Sequence, residues 1–195
     1  MSEDVELFRI LVTQHREVDE ILEQLADTED SETDKREMLF TTLKGKLLSH
    51  AKAEEKTLYP ALQKAGEKEE AQHAKHEHKE IEEAFAELDA CAYDDEEFVS
   101  MVEKLADTVK HHVEEEESDV FDSAREALDS DVLARLADEF QIQQKKEMAA
   151  LGVEDDGYDE LTKEELMEEA RERDIPGRSS MSKDELISQL RGGAS

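Results

Sequence analysis

Apolar residues recur at three- and four-residue intervals through most of the chain, the spacing of helices that bury one face. Leu11, Val18, Leu22 and Leu25 mark a stripe on a first helix over about residues 4–26. Leu39, Leu43, Leu47 and Leu58 mark a second over about 31–63, with Gly66 as its stop and Pro60 as a kink or end in its last turns. A third helix over about 67–90 carries Ala74, Ile81, Phe85 and Leu88, and a fourth over about 95–128 carries Phe98, Met101, Leu105 and Val120. Connections this short force consecutive helices antiparallel, which predicts an up-down-up-down four-helix bundle. A trailing helix over about 132–150 presents Leu133, Leu136 and Phe140, then turns polar from Gln141 to Glu147. Its first half is expected to pack on the bundle and its second half to project. The bundle and trailing helix together take residues 1–151, and 152–160 read as an acidic, Gly-bearing linker. Residues 161–191 predict a helix, an extended segment Ile175–Ser180 and a second helix. Both of these helices open on capping boxes, Thr162 with Glu165 and Ser182 with Glu185.

Composition agrees with an all-α chain, since 41% of residues are charged and 5% aromatic, with no Trp and two Pro. The 55 acidic and 24 basic residues leave a formal charge of −31, a field that repels nucleic acid and anionic membranes and attracts cations. No apolar run is long enough to span a bilayer and the N-terminus lacks signal-peptide features, so the expected location is cytoplasmic. The single cysteine, Cys91, excludes an intrachain disulfide and fits a reducing compartment.

Polar residues interrupt the apolar stripes at repeated positions. His50 stands four residues before Glu54, and His112 four before Glu116, at an offset of 62. His15 and His78 repeat at an offset of 63, within His15-Arg16-Glu17-Val18 and His78-Lys79-Glu80-Ile81. The chain therefore reads as two copies of one helical hairpin, each supplying two histidines and one glutamate to a common seam. A dry seam does not tolerate six ionisable groups without compensation. Imidazole and carboxylate without thiolate suit Fe, Mn or Zn, and carboxylates from opposing bundle helices suit a dinuclear iron or manganese site, with iron expected. At about 100° per residue, His76 and His73 lie roughly 200° and 140° from His78 around the third helix. The repeat register pairs His111 with Ser49, so His73, His76 and His111 are read as lying off the seam. Tyr59 and Phe121, five residues after the two glutamates, are read as core fillers.

These motifs resemble the hemerythrin-like HHE cation-binding domains over about residues 4–128: His15, His50-x-x-x-Glu54 with Leu58-Tyr59-Pro60, Glu77-His78-Lys79-Glu80, and His111-His112 through Glu116-Glu117 with Val120-Phe121. The resemblance implies a non-heme di-iron centre, carboxylate-bridged by Glu54 and Glu116, with His15, His50, His78 and His112 as terminal ligands. With a hydroxide or oxide bridge, two iron ions would each keep about one open position. That position would lie near the small or apolar Leu11 and Ala74 and would suit dioxygen, peroxide or nitric oxide. The oxygen-carrying members have an H-x-x-x-H pair on the third helix and an Asp five residues after the last His. Here those slots hold Ala74 and, at four residues, Glu116. The expected role is therefore handling or sensing these small molecules rather than ordinary reversible carriage, with iron storage, or an adaptor holding a structural metal, as the rivals.

The C-terminal segment resembles SAP-like or Rho-N-terminal-like modules through Leu161–Leu166, Ile175–Ser179 and Met181–Leu186, and such modules are associated with nucleic acid. Leu161–Arg191 holds 6 basic and 8 acidic residues, so a protein-interaction or structural role is expected ahead of nucleic-acid binding. Arg171, Arg173, Arg178 and Lys183 are the residues that could form a local basic patch.

Overall fold

A computed structural model describes residues 5–152, 158, 161–173 and 175–192. The chain forms two compact units, Met1–Val153 and Glu154–Ser195. In the first, α1 (Glu6–Ala26), α2 (Thr33–Lys56), α4 (Lys68–Asp89) and α5 (Phe98–Glu115) make the expected antiparallel bundle. Short helices α3 (Leu58–Ala65) and α6 (Phe121–Ala127) follow α2 and α5, and α7 (Ser130–Ala150) lies against α1 and α2.

The bundle has two apolar layers. One gathers Val18, Leu22, Leu43, Phe85, Phe98 and Leu105, and the other Leu7, Leu11, Leu58, Phe121, Leu136 and Phe140. The buried positions of α1 (Leu7, Leu11, His15, Val18, Leu22, Leu25) run through both layers at helical spacing.

The second and fourth expected helices, which carry His50 with Glu54 and His112 with Glu116, each change course just after the glutamate. After α2, Thr57 leaves helical geometry at φ −123° and ψ −75°, and a new helix starts at Leu58. Pro60 then sits in the first turn of α3, where its missing N–H would have no intrahelical acceptor. The expected kink is thus a full break. Gly66 stops α3 in the left-handed region, φ 116°, and its N–H returns to the Leu62 carbonyl. After α5 the chain passes through a π turn, Glu116–Val120, before α6, a local widening common at functional sites.

The polar half of α7 does not project. Gln144 exchanges two amide hydrogen bonds with Gln14, at 2.8 and 2.9 Å, and Lys56 pairs with Glu147 at 2.6 Å. The polar stretch reads as solvent-facing by composition, yet it meets polar partners on α1 and α2.

At the far end of the bundle Arg36 is wholly buried. Its guanidinium donates to Thr28 Oγ1 at 2.8 Å, the Thr28 carbonyl at 3.2 Å, Asp30 at 2.9 Å and the Tyr93 carbonyl at 2.6 Å, and stacks 5.0 Å from the Phe98 ring centroid. One side chain thereby ties the α1–α2 loop to the α4–α5 loop.

In the second unit α8 (Lys163–Glu172) and α9 (Lys183–Gly192) enclose a small core of Leu166, Ala170, Ile175, Leu186, Ile187 and Leu190. Both capping boxes are present. Segment 175–180 is not extended: Gly177 takes φ 76° and opens a 3₁₀ turn, Arg178–Ser180, with Ser180 Oγ donating to the Gly177 carbonyl. Tyr158, within the stretch read as linker, packs into this core, while 153–157, 159 and 160 lie outside the described residues.

Replacing Arg36 by Met retains bulk and removes every donor, leaving buried carbonyls unpaired. The expected loss is about 2–4 kcal/mol of unfolding free energy, read by denaturant titration, and an unchanged midpoint would remove the latch from the account.

Candidate metal centre

The six residues singled out by the repeat converge between the two apolar layers. His15, His50, Glu54, His78, His112 and Glu116 are each at most 3% exposed. The four imidazoles point Nε2 inward, in two pairs: His15 to His50 at 3.3 Å and His78 to His112 at 3.1 Å. Glu54 spans the pairs, with Oε1 3.2 Å from His50 Nε2 and Oε2 3.4 Å from His78 Nε2. Glu116 Oε2 lies 3.2 Å from His15 Nε2 and 3.9 Å from His112 Nε2. Ligand atoms of His15, His50, Glu54 and Glu116 fall within 4.8 Å of one another, as do those of Glu54, His78 and His112.

Each ring is held from behind through Nδ1, which in the neutral ring leaves the Nε2 lone pair facing the centre. His15 faces Glu117 at 3.0 Å, His50 faces Gln14 at 2.8 Å, His78 faces Glu55 at 3.3 Å and His112 faces Glu77 at 3.0 Å. The duplication extends to these partners, since Glu55 matches Glu117 and Gln14 matches Glu77. On the α7 side, Gln144 pairs with Gln14, and the Phe140 ring stands edge-on 5.5 Å from that of His50.

Tyr59, expected as a core filler, brings its hydroxyl into the centre. The oxygen lies 3.4 Å from Glu54 Oε2, 3.3 Å from His78 Nε2 and 3.4 Å from Glu116 Oε1. Burial, then the charges of Glu116 and Glu54, raise its pKa well above the ordinary value, so it remains a proton donor. Its repeat counterpart Phe121 instead stacks on Phe8 at 4.5 Å. His73, His76 and His111 are exposed, as their helical phase requires.

A cation fits this donor set. Glu54 Oε1 and Glu116 Oε2 are buried without a hydrogen-bond partner, although imidazole nitrogens stand close by. An unsatisfied buried carboxylate oxygen is costly, and a metal ion among four Nε2 atoms and these oxygens removes the cost. Nitrogen and oxygen donors suit first-row divalent ions.

Comparison with known proteins agrees with this chemistry. The family model described as the hemerythrin HHE cation binding domain matches residues 6–124. A protein named "DNA nickase" from Nostoc sp. is 28% identical over 151 residues, which cover 77% of this chain and 42% of that protein. The chain thus spans less than half the length of that relative. No solved structure gives a significant match.

The protonation of the centre makes a prediction for the metal-free protein. Burial opposes charge on His15, but the neighbouring carboxylate of Glu116, with those of Glu54 and Glu117, outweighs it and lifts the pKa from 6.5 to about 9. For His78 burial is again outweighed, by Glu54 and Glu55, with the same result of about 9. Protons held more tightly in the folded state stabilise it fully below about pH 6.5, and that contribution fades as pH rises through about 9. The melting temperature of metal-free protein should therefore fall between these limits. It should fall less steeply in His15→Gln and His78→Gln. Metal uptake requires the deprotonated rings and should strengthen over the same range. A flat melting profile for the metal-free wild type would contradict this charge state.

Proposed function

Because the chain belongs to the hemerythrin HHE cation-binding family, we propose that its buried cluster is a non-heme di-iron centre that binds, senses or detoxifies dioxygen, peroxide or nitric oxide in the cytoplasm. The observation that carries this reading is the pair of partnerless carboxylate oxygens on Glu54 and Glu116, set among four inward Nε2 atoms. Glu54 and Glu116 would hold both ions, with His15 and His50 for one position and His78 and His112 for the other. Iron bound there supplies one-electron redox chemistry and open coordination for a small uncharged ligand.

The remaining chemistry belongs to the chain. Glu55, Glu77 and Glu117 orient imidazoles and increase their donor strength. Leu11 and Ala74, both buried, keep the surroundings apolar, which disfavours charged substrates. Tyr59 carries a proton to within hydrogen-bonding distance of both glutamates and can release it to a reduced ligand. Residues 161–191 act as a tethered protein-interaction module. Arg171 is paired with Glu168, Arg173 with Glu169 and Arg178 with the Ile175 carbonyl, which leaves little of the expected basic patch for phosphates.

The Nostoc relative's name supports a second reading, metal-dependent cleavage of a DNA strand, because paired metal ions also promote phosphodiester hydrolysis. The formal charge of −31 opposes DNA binding and ranks this second. Incubating supercoiled plasmid with metal-loaded protein decides it. Nicking that is lost in Glu54→Ala would replace the first reading.

Metal analysis with visible spectroscopy of aerobically purified protein tests the first reading. About two irons per chain and an absorption band typical of a bridged diferric centre are expected, whereas a colourless zinc protein would refute it. Glu54→Ala and Glu116→Ala should each lower iron content substantially, since each removes a donor to both positions. A storage protein would bind iron yet show no reaction with peroxide or nitric oxide, and an adaptor would lose its function on removal of residues 152–195. Tyr59→Phe should retain the iron and slow the reaction with peroxide by about tenfold or more. An unchanged rate would return Tyr59 to the role of core filler.

A further inference from the structure

Two more H-x-x-x-E pairs face each other outside the buried centre. His73 precedes Glu77 on α4, and His111 precedes Glu115 on α5. The helices are adjacent and antiparallel, so the four side chains meet. His73 Nε2 lies 2.7 Å from Glu115 Oε2, and His111 Nε2 lies 3.2 Å from Glu115 Oε1. Glu77 Oε1 stands 3.9 Å from His73 Nε2 and 4.0 Å from His111 Nε2.

The contacts to Glu115 alone would be ordinary surface ion pairs, because both imidazoles are well over half exposed. Glu77 is different. It is 4% exposed, its Oε2 accepts from His112 Nδ1, and its Oε1 is buried without a hydrogen-bond partner while facing the two imidazoles. Two exposed histidines and a half-buried glutamate are thus arranged over a carboxylate oxygen that lacks a partner.

We propose that His73, Glu77, His111 and Glu115 form a separate mononuclear site for a borderline divalent cation of the Zn²⁺ type. Tetrahedral zinc holds nitrogen and oxygen donors at about 2.0–2.2 Å, which places the donors about 3.3–3.5 Å from one another. Ligand atoms of His73, Glu77 and Glu115 lie within 4.8 Å of one another, and His111 Nε2 lies 3.2 Å from Glu115 Oε1 and 4.0 Å from Glu77 Oε1. His73, Glu77 and Glu115 are the three donors already gathered, and the exposed His111 side chain would turn in to complete the shell. Two neutral imidazoles and two carboxylates give a neutral complex with a divalent ion. The acidic surface raises the local cation concentration. The site opens to solvent through His73, His111 and Glu115. The proposal stands whether or not the buried centre holds iron, and it adds a consequence if it does. Glu77 would then bind the outer cation with one oxygen and His112 with the other, so filling the outer site weakens the hold on one imidazole of the inner centre.

Untagged full-length protein is first loaded with iron, freed of excess metal and titrated with Zn²⁺ by calorimetry. One further Zn²⁺ per chain is expected, and the His73→Ala/His111→Ala variant should lose that event while keeping wild-type iron content and visible absorption. Glu115→Gln should weaken Zn²⁺ binding at least tenfold. If the chain takes up no iron, the same titration on metal-free protein still reports, because the double variant should bind one Zn²⁺ fewer than wild type. Both histidines are exposed, so folding is expected to be retained, as circular dichroism would check. Equal zinc stoichiometry and affinity in wild type and double variant overturns the site, as does the absence of a stoichiometric zinc event in the wild type.

Discussion

A layer of ionisable groups lying between two apolar layers governs this bundle. Six histidine and glutamate side chains occupy seam positions whose neighbours above and below are apolar, and each is at most 3% exposed. Imidazoles and carboxylates so placed demand that every nitrogen and oxygen meet a partner. The outer nitrogens meet theirs in Glu55, Glu77, Glu117 and Gln14, while inward-facing Glu54 Oε1 and Glu116 Oε2 do not. The supporting glutamates, the course changes after each H-x-x-x-E pair and the seating of α7 are all arranged about this one layer.

The bundle and the convergence of the six side chains were legible because both follow from helical periodicity. His15, His50, His78 and His112 fall on the same stripes as the core leucines, and the repeat offset separates His78 and His112 from their exposed neighbours. Features that depend on a departure from periodicity were not legible. Pro60 signalled a disturbance, but its placement in the first turn of a new helix depends on Thr57, whose geometry no residue type announces. The π turn at Glu116–Val120 has no compositional mark at all. Tyr59 reads as a core aromatic because its hydroxyl reaches the centre only once α3 has turned away from α2. The burial of Arg36 has no signal in helical periodicity, since the carbonyls that hold it belong to two loops, that of Tyr93 being 57 residues away. The polar half of α7 and segment 175–180 were misread for a similar reason: tertiary partners and a left-handed glycine decided their conformation.

The two halves are related by the repeat but are not equivalent. Behind His112 stands a carboxylate, Glu77, and behind its counterpart His50 stands an amide, Gln14. Carboxylate backing gives an imidazole more anionic character than amide backing does. The His78/His112 side therefore has two carboxylates behind it and the His15/His50 side one. Tyr59 faces the centre where Phe121 turns away to stack on Phe8, so the only hydroxyl hydrogen-bonded to these six side chains, among the described residues, comes from the first copy. A symmetric scaffold thus carries two chemically distinct positions.

The contact between His15 and Glu117 joins residues 102 apart, and the amide pair of Gln14 and Gln144 joins residues 130 apart. Loop closure on that scale comes after local helix formation. During synthesis the first hairpin emerges carrying His15, His50 and Glu54 along its seam, while their partners His78, Glu116 and Glu117 are still to be made. A ribosome-bound chain therefore displays an incomplete and exposed donor set. The centre closes only when the second hairpin folds onto the first and α7 seats Gln144 behind Gln14. Connectivity thus makes the finished cluster depend on contacts more than 100 residues apart, which local helix formation alone does not supply.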